Sequence, residues 1–174
     1  MTPDTVERID ADDSLLAGST LSRIDHVDVH RLRTEHALQH TPQEWAREIL
    51  EGPSTAMRVR LHLGWTALGI TLHRGAVSIA PHRGAVSIAP HRGAVDTIAG
   101  WPVSDSGVDY VRLQSDSRIG LTGELLTRVG DHDVTFATLV QLANPVARRV
   151  WASVLPAHLN IVRTLMQGAA DRTT

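Results

Sequence analysis

His158 is the side chain of this sequence best placed for acid–base chemistry. It lies seven residues after Trp151 and three before Ile161, a spacing that puts the three side chains on one face of a helix. An imidazole on that apolar face could donate a hydrogen bond to a bound molecule or act as a general base. It could equally be a core histidine bonded to a backbone carbonyl that Pro156 leaves free. Buried polar groups are usually structural, which favours the second interpretation.

A polar face on one predicted strand offers a second candidate site. Tyr110, Arg112 and Gln114 alternate with Val111 and Leu113, so the first three point to one side of the strand. Arg112 could orient an anionic head group there, and Tyr110 could stack on a ligand or donate a hydrogen bond. The same alternation favours a simpler arrangement, with the apolar pair in the core and the polar side chains in solvent.

Large apolar side chains complete the predicted set of ligand contacts. Trp65, Trp101, Phe136 and Trp151 could wall a cavity, although such residues form core more often than ligand contacts.

Two sets of histidines have a spacing that could indicate a metal site. His26, Asp28 and His30 alternate along the opening strand. Same-face positions on a strand lie roughly 6.6 Å apart, so these side chains do not converge, and they are typical of a solvated face. His73, His82 and His91 recur every nine residues, each followed by an arginine whose charge opposes cation binding. We therefore expect no metal and no cofactor.

Composition excludes several chemistries. The 174 residues contain no cysteine and no lysine, so thiolate nucleophiles, disulfides, Schiff-base lysines and the lysine of a phosphate-binding loop are ruled out. The net charge of −2 argues against nucleic-acid binding. No apolar run approaches the ~18 residues of a membrane span, and the acidic start is unlike a secretory leader. We expect a soluble cytoplasmic protein, monomeric or homodimeric.

The elements that must position these residues follow from local patterns. Residues 1–23 are acidic and are expected to form a flexible tail, and residues 24–170 to form one domain. A strand is predicted near residues 26–30, followed by a helix that begins at Thr41-Pro42 with a capping box to Glu44 and a second helix capped by Ser54. Strands are predicted over 108–115, 118–129 and 134–142, as an antiparallel meander. A helix from Pro145 to Gly168 closes the chain, kinked or divided at Pro156.

A tandem repeat interrupts this order. The nonapeptide His-Arg-Gly-Ala-Val-Ser-Ile-Ala-Pro occurs at 73–81 and again at 82–90, and a partial copy ends at residue 95. Because the copies are identical, we interpret the segment 73–95 as a recent insertion in a connection, which costs little in closure entropy. The alternative is that the copies add β-structure that pairs with another chain, which would make the repeat an interaction module.

The order of elements resembles the START/polyketide-cyclase-like (SRPBCC, helix-grip) superfamily, and within it the bacterial family called domain of unknown function 2867. The residues that carry this resemblance are Asp25-His26-Val27-Asp28, the Trp45 helix ending at Gly52-Pro53, Leu68-Gly69-Ile70, Gly100-Trp101, Ser115-Asp116-Ser117-Arg118 and Leu155-Pro156-Ala157-His158. The repeat is not part of that pattern. Ala157 stands where the family more often has an aromatic residue, which would widen a cavity or its mouth.

This resemblance implies an α+β helix-grip fold, with a curved antiparallel sheet wrapped on a long C-terminal helix and two short helices after the first strand. It also implies a mostly apolar cavity between sheet and helix, which would face His158. We therefore expect a protein that binds a small hydrophobic molecule without established catalysis. The alternative is a cyclase- or dehydratase-like enzyme that uses His158 as acid or base, together with Arg112 or Tyr110.

Overall fold

One antiparallel sheet forms the centre of the molecule in the computed structural model, which describes residues 4–73 and 96–173. Its seven strands lie in the order β1-β2-β7-β6-β5-β4-β3. The strands are β1 (Thr5–Ile9), β2 (His26–Arg33), β3 (Thr97–Ile98), β4 (Trp101–Ser106), β5 (Tyr110–Asp116), β6 (Leu121–Val129) and β7 (Asp133–Leu142). The expected meander is therefore present as β5 to β7, and β4, which was not predicted, pairs with β5. The expected α+β class, with a curved sheet and a C-terminal helix, is confirmed.

The N-terminal segment differs from the expected flexible tail. Strand β1 pairs with β2, and helix α1 (Asp13–Ala17) packs Leu15 onto the sheet. Glu7, one of the acidic side chains that indicated disorder, accepts hydrogen bonds from Arg31 and Arg33 of β2. Two short helices consequently follow the second strand of the sheet, not the first.

Helices α2 (Pro42–Leu50) and α3 (Thr55–Ala67) come between β2 and β3. Helix α2 begins with the expected capping box, in which the Thr41 hydroxyl accepts from the Glu44 amide and the Glu44 carboxylate accepts from the Thr41 amide. Ser54 caps α3 through the Met57 amide. Helix α2 buries Trp45 and Ile49, whereas Leu61 is the single buried residue of α3.

Helix α4 (Pro145–Thr173) is continuous through Pro156 and passes the expected end at Gly168. Pro156 is exposed, and so is residue 152, whose carbonyl loses its helical donor and can bind water. The helix continues because its last turns are buried at Ala169 and Ala170, and because Arg172 pairs with Glu48.

The sheet is covered on both sides. Helices α2 and α4 pack on what we call the helix face, where the larger cluster of buried apolar residues includes Leu32, Val111 and Phe136. A smaller cluster, with Leu15 and Val29, lies on the opposite or outer face under the N-terminal segment. Within the described ranges, no helix is long and apolar enough to cross a bilayer.

The segment 73–95 falls almost entirely outside the described residues, which stop at His73 and resume at Asp96. Both interpretations of the repeat, as an insertion and as an interaction module, therefore stay predictions. The same holds for the expectation that His73, His82 and His91 bind no metal.

Candidate functional site

An apolar pocket of about 370 Å³ lies on the helix face, between the sheet, α3 and α4. Its walls are Leu61, Trp65 and Leu68 from α3; Trp101, Leu121, Leu125, Thr138 and Val140 from the sheet; and Trp151, Val154, His158 and Ile161 from α4. Gly123 lies beneath the Trp101 indole, and a Cβ there would come within 3.1 Å of the ring. The lining residues Arg60, Gly64 and Ala157 are exposed, so the pocket opens between α3 and α4.

A carboxylate with two imidazole partners lies behind one of the pocket-lining residues, His158. Asp28 lies on β2 and is 2 % exposed. Its Oδ2 atom is 2.9 Å from Nε2 of His26 and 3.0 Å from Nε2 of His158 on α4. Because an ionised carboxylate only accepts hydrogen bonds, both imidazoles must donate through Nε2. Nδ1 of His158 is then the nitrogen that can accept a proton.

The charge state of Asp28 follows from these contacts. Burial raises the pKa of the carboxyl group, but the hydrogen bonds from His158 and His26 outweigh it and bring the pKa to about 2. The neighbouring His30 behaves differently. Burial lowers its pKa below the usual value, and the Asp28 carboxylate opposes that effect only in part. Asp28 is therefore ionised at neutral pH, and His30 is held in its neutral form.

Trp151 contacts both imidazoles. The centroid of its indole is 5.3 Å from that of the His26 ring and 5.1 Å from that of the His158 ring. Such contacts restrict the rotamers of both histidines. The geometry suits a general base whose position and tautomer are set before a molecule enters the pocket.

Three buried polar atoms of the pocket have no hydrogen-bond partner within the described part of the chain. They are Nε1 of Trp101, Nε1 of Trp151 and Oγ1 of Thr138. Asp28 Oδ1 and His30 Nδ1, which lie 3.6 Å apart, are also unpaired there. A buried donor or acceptor without a hydrogen-bond partner lowers the stability of the fold by about 1–3 kcal/mol. Several such atoms in and beside one pocket are therefore unusual.

The predicted ligand residues fall into three groups. Trp65, Trp101, Trp151 and His158 all line the pocket. Phe136 is in the buried core beside it and does not line the pocket.

Tyr110 and Arg112 lie on the outer face, because Val111 and Leu113 take the helix-face positions of β5. The sheet therefore separates both side chains from His158, and neither can act with it in catalysis. Arg112 is nevertheless 7 % exposed and not in solvent, since the N-terminal segment covers it near Gly18.

The face of β2 that carries His26, Asp28 and His30 was expected to be solvated and is instead packed against α4. Asp28 and His30 are buried because α4 packs on their side of β2, and the N-terminal segment covers the opposite side, so β2 has no solvent face at these positions. The alternative in which His158 bonds a carbonyl freed by Pro156 is also incorrect, because its partner is Asp28. An acid flanked by two histidines at alternate positions was the only sequence signal for this cluster.

No group of three or more histidine, cysteine or carboxylate side chains among residues 4–73 and 96–173 has an arrangement that could hold a metal ion. The Nε2 atoms of His26 and His158 already donate hydrogen bonds to the Asp28 carboxylate.

No protein-family model matches this chain, and no curated protein matches it either. Membership of the domain of unknown function 2867 family, or of the SRPBCC superfamily, therefore stays a prediction.

Proposed function

We propose that this protein binds a small, predominantly apolar molecule in the pocket between the sheet, α3 and α4. The observation that carries the proposal is the pocket itself, about 370 Å³ in volume and walled by three tryptophans and aliphatic side chains. Ligand sites are typically concave, mostly apolar and of a few hundred Å³, with a small number of polar groups that fix orientation. His158 and the unpaired donors of Trp101, Thr138 and Trp151 supply those polar groups.

Helix α3 provides a route into the pocket. Leu61 is its only buried residue, and the helix contributes Trp65 and Leu68 to the pocket wall. Elements that bury little apolar surface open at low free-energy cost. Displacement of α3 would therefore admit a ligand without disturbing the sheet or α4.

A pair of substitutions on α3 tests the proposal. Gly64 lines the pocket, and no atom lies within 4 Å of a Cβ built on it, so Gly64→Phe places a ring where the ligand would lie. Val59 is on the same helix, 52 % exposed and outside the pocket, which makes Val59→Phe the matched control. Native mass spectrometry with medium-chain alkanes, ketones and fatty acids should give adducts with wild type and Val59→Phe, and none with Gly64→Phe. No adduct with any molecule would overturn the proposal.

A second candidate is an acid–base enzyme of the cyclase or dehydratase kind. The Asp28–His158 pair favours it, since a carboxylate that fixes the tautomer of an imidazole is a recurrent feature of general bases. A bound carbon acid could lose its proton to Nδ1 of His158, and the imidazolium that forms would keep Asp28 as its ionic partner. Tyr110 and Arg112 have no part in this version.

Proton abstraction can be measured without knowing the natural substrate. Wild-type protein should incorporate deuterium from D₂O next to the carbonyl of a medium-chain methyl ketone, followed by proton NMR. His158→Gln should lower that rate by about 10²-fold or more. Equal rates for the two proteins would exclude this function and leave ligand binding unaffected.

A further inference from the structure

The unpaired donors of the pocket indicate what the ligand must carry, provided that the proposed binding function holds. Trp101 is on β4, Thr138 on β7 and Trp151 on α4, and all three are more than nine-tenths buried. An indole N–H can only donate a hydrogen bond, whereas a hydroxyl can donate or accept. A molecule that satisfies this set must therefore present an acceptor atom.

The buried indole outside the pocket, that of Trp45, has a hydrogen-bond partner. Nε1 of Trp45, which is equally buried, donates to the Ala37 carbonyl at 2.9 Å. The two unpaired indoles both belong to the pocket, where a bound molecule can supply what the protein does not.

The charge near these donors selects between kinds of acceptor. Thr138 is directly opposite Asp28 in the β2–β7 register, and both side chains point to the helix face. Facing residues on paired strands have Cβ atoms roughly 5 Å apart, so an anionic group bound at Thr138 would lie close to the Asp28 carboxylate. Like charges at that distance in a buried site repel strongly. A neutral acceptor avoids this repulsion.

We propose that the ligand carries a neutral carbonyl group, whose oxygen accepts hydrogen bonds from one or two of three donors, the indole N–H groups of Trp101 and Trp151 and the Thr138 hydroxyl. The rest of the molecule is apolar and lies against Trp65 and the aliphatic walls. The ligand class is thus a ketone, ester, lactone or amide with a hydrocarbon body.

Four probes with the same nine-carbon chain separate this proposal from simple apolar binding: the methyl ketone, the alkane, the carboxylate and the primary ammonium. Calorimetric titration should give the ketone an affinity at least about tenfold above each of the others. Tightest binding of the carboxylate or the ammonium, or equal binding of all four, would overturn the carbonyl proposal but keep ligand binding. No binding of any probe would overturn the proposed function and this inference together.

The indole protons report the contact directly. In a ¹⁵N–¹H spectrum of tryptophan-labelled protein, the Nε1–H signal of Trp101, of Trp151 or of both should move downfield with the ketone and not with the alkane, while that of Trp45 stays in place. Trp101→Phe and Trp151→Phe assign the signals. The shifts themselves are measured on the wild-type protein. If neither the Trp101 nor the Trp151 signal moves at saturating ketone, the proposal is refuted.

Thr138→Val offers a matched functional test, since it removes the hydroxyl at nearly constant volume. Affinity for the ketone should fall several-fold, with affinity for the alkane unchanged. An equal loss for both probes would show that Thr138 acts only through packing and would contradict its assigned role.

Discussion

Replacing Asp28 by asparagine should destabilise the protein by an amount that the pKa of the carboxyl group sets. The pKa is about 2 in the folded protein, against an ordinary value of 3.8. Each unit of difference corresponds to about 1.4 kcal/mol, so the folded environment favours the ionised carboxylate over a neutral group by about 2 kcal/mol. An amide keeps the shape of the side chain and one acceptor oxygen, and loses the charge. Asp28→Asn should therefore lower the free energy of unfolding by about 2 kcal/mol at neutral pH.

The pH dependence of this loss distinguishes charge from packing. Because the folded-state pKa lies below the unfolded value of 3.8, the stabilisation is fully present above that pH and disappears as the pH falls towards 2. Urea unfolding of wild type and Asp28→Asn should show a difference that is constant near neutrality and shrinks in acid. Asp131→Asn, in an exposed turn, is the control and should match wild type. A difference that is absent at neutral pH, or that persists unchanged in acid, would refute the reasoning.

Three further predictions concern Gly64 on α3, Glu124 on the outer face and His30 on β2. Gly64→Ala should stabilise the protein by about 0.5–1 kcal/mol, because it improves helix propensity where no atom lies within 4 Å of the new Cβ; a lower urea midpoint would contradict this. Glu124→Ala removes the acceptor for Ser19 and for the amide and hydroxyl of Thr20, so limited proteolysis within residues 4–24 should accelerate at least about tenfold. Unchanged cleavage there would show that Glu124 does not hold the segment. The pKa of His30 is lowered in the folded protein, so below pH 6.5 the imidazole takes up a proton more readily in the unfolded chain. The free energy of unfolding should therefore fall as the pH drops below 6.5. The His30→Leu variant should lose less stability than wild type over that pH range. Equal decreases in the urea midpoint of the two proteins would exclude His30 as the cause.

Local chemistry made much of the fold predictable. The capping box at Thr41 and Glu44, the alternating strands of the meander and the apolar stripe of the last helix are signals contained within a few residues. The three tryptophans of the pocket and His158 were also among the predicted ligand contacts, because large apolar side chains favour the interior.

The remaining features depend on distant pairing that a local pattern does not contain. Asp28 and His158 are 130 residues apart in the chain, and only the packing of α4 on β2 brings them together. The N-terminal segment looked like a tail because its partners lie far along the chain: Glu7 pairs with Arg31 and Arg33 of β2, and the Thr20 amide donates to Glu124 of β6. The packing of α4 on β2 reversed the expected exposure of Asp28 and His30, and coverage of the outer face by the N-terminal segment reversed that of Arg112.

The pocket of the helix face is the proposed binding site, and its occupancy can be observed directly. Intermolecular nuclear Overhauser effects between the methylene protons of a bound nine-carbon methyl ketone and the protein locate the ligand directly. They should connect the hydrocarbon chain with Trp65 and Trp151, which line the pocket from α3 and α4. Effects confined to Tyr110 and Arg112 on the outer face, or to neither group, would contradict the account.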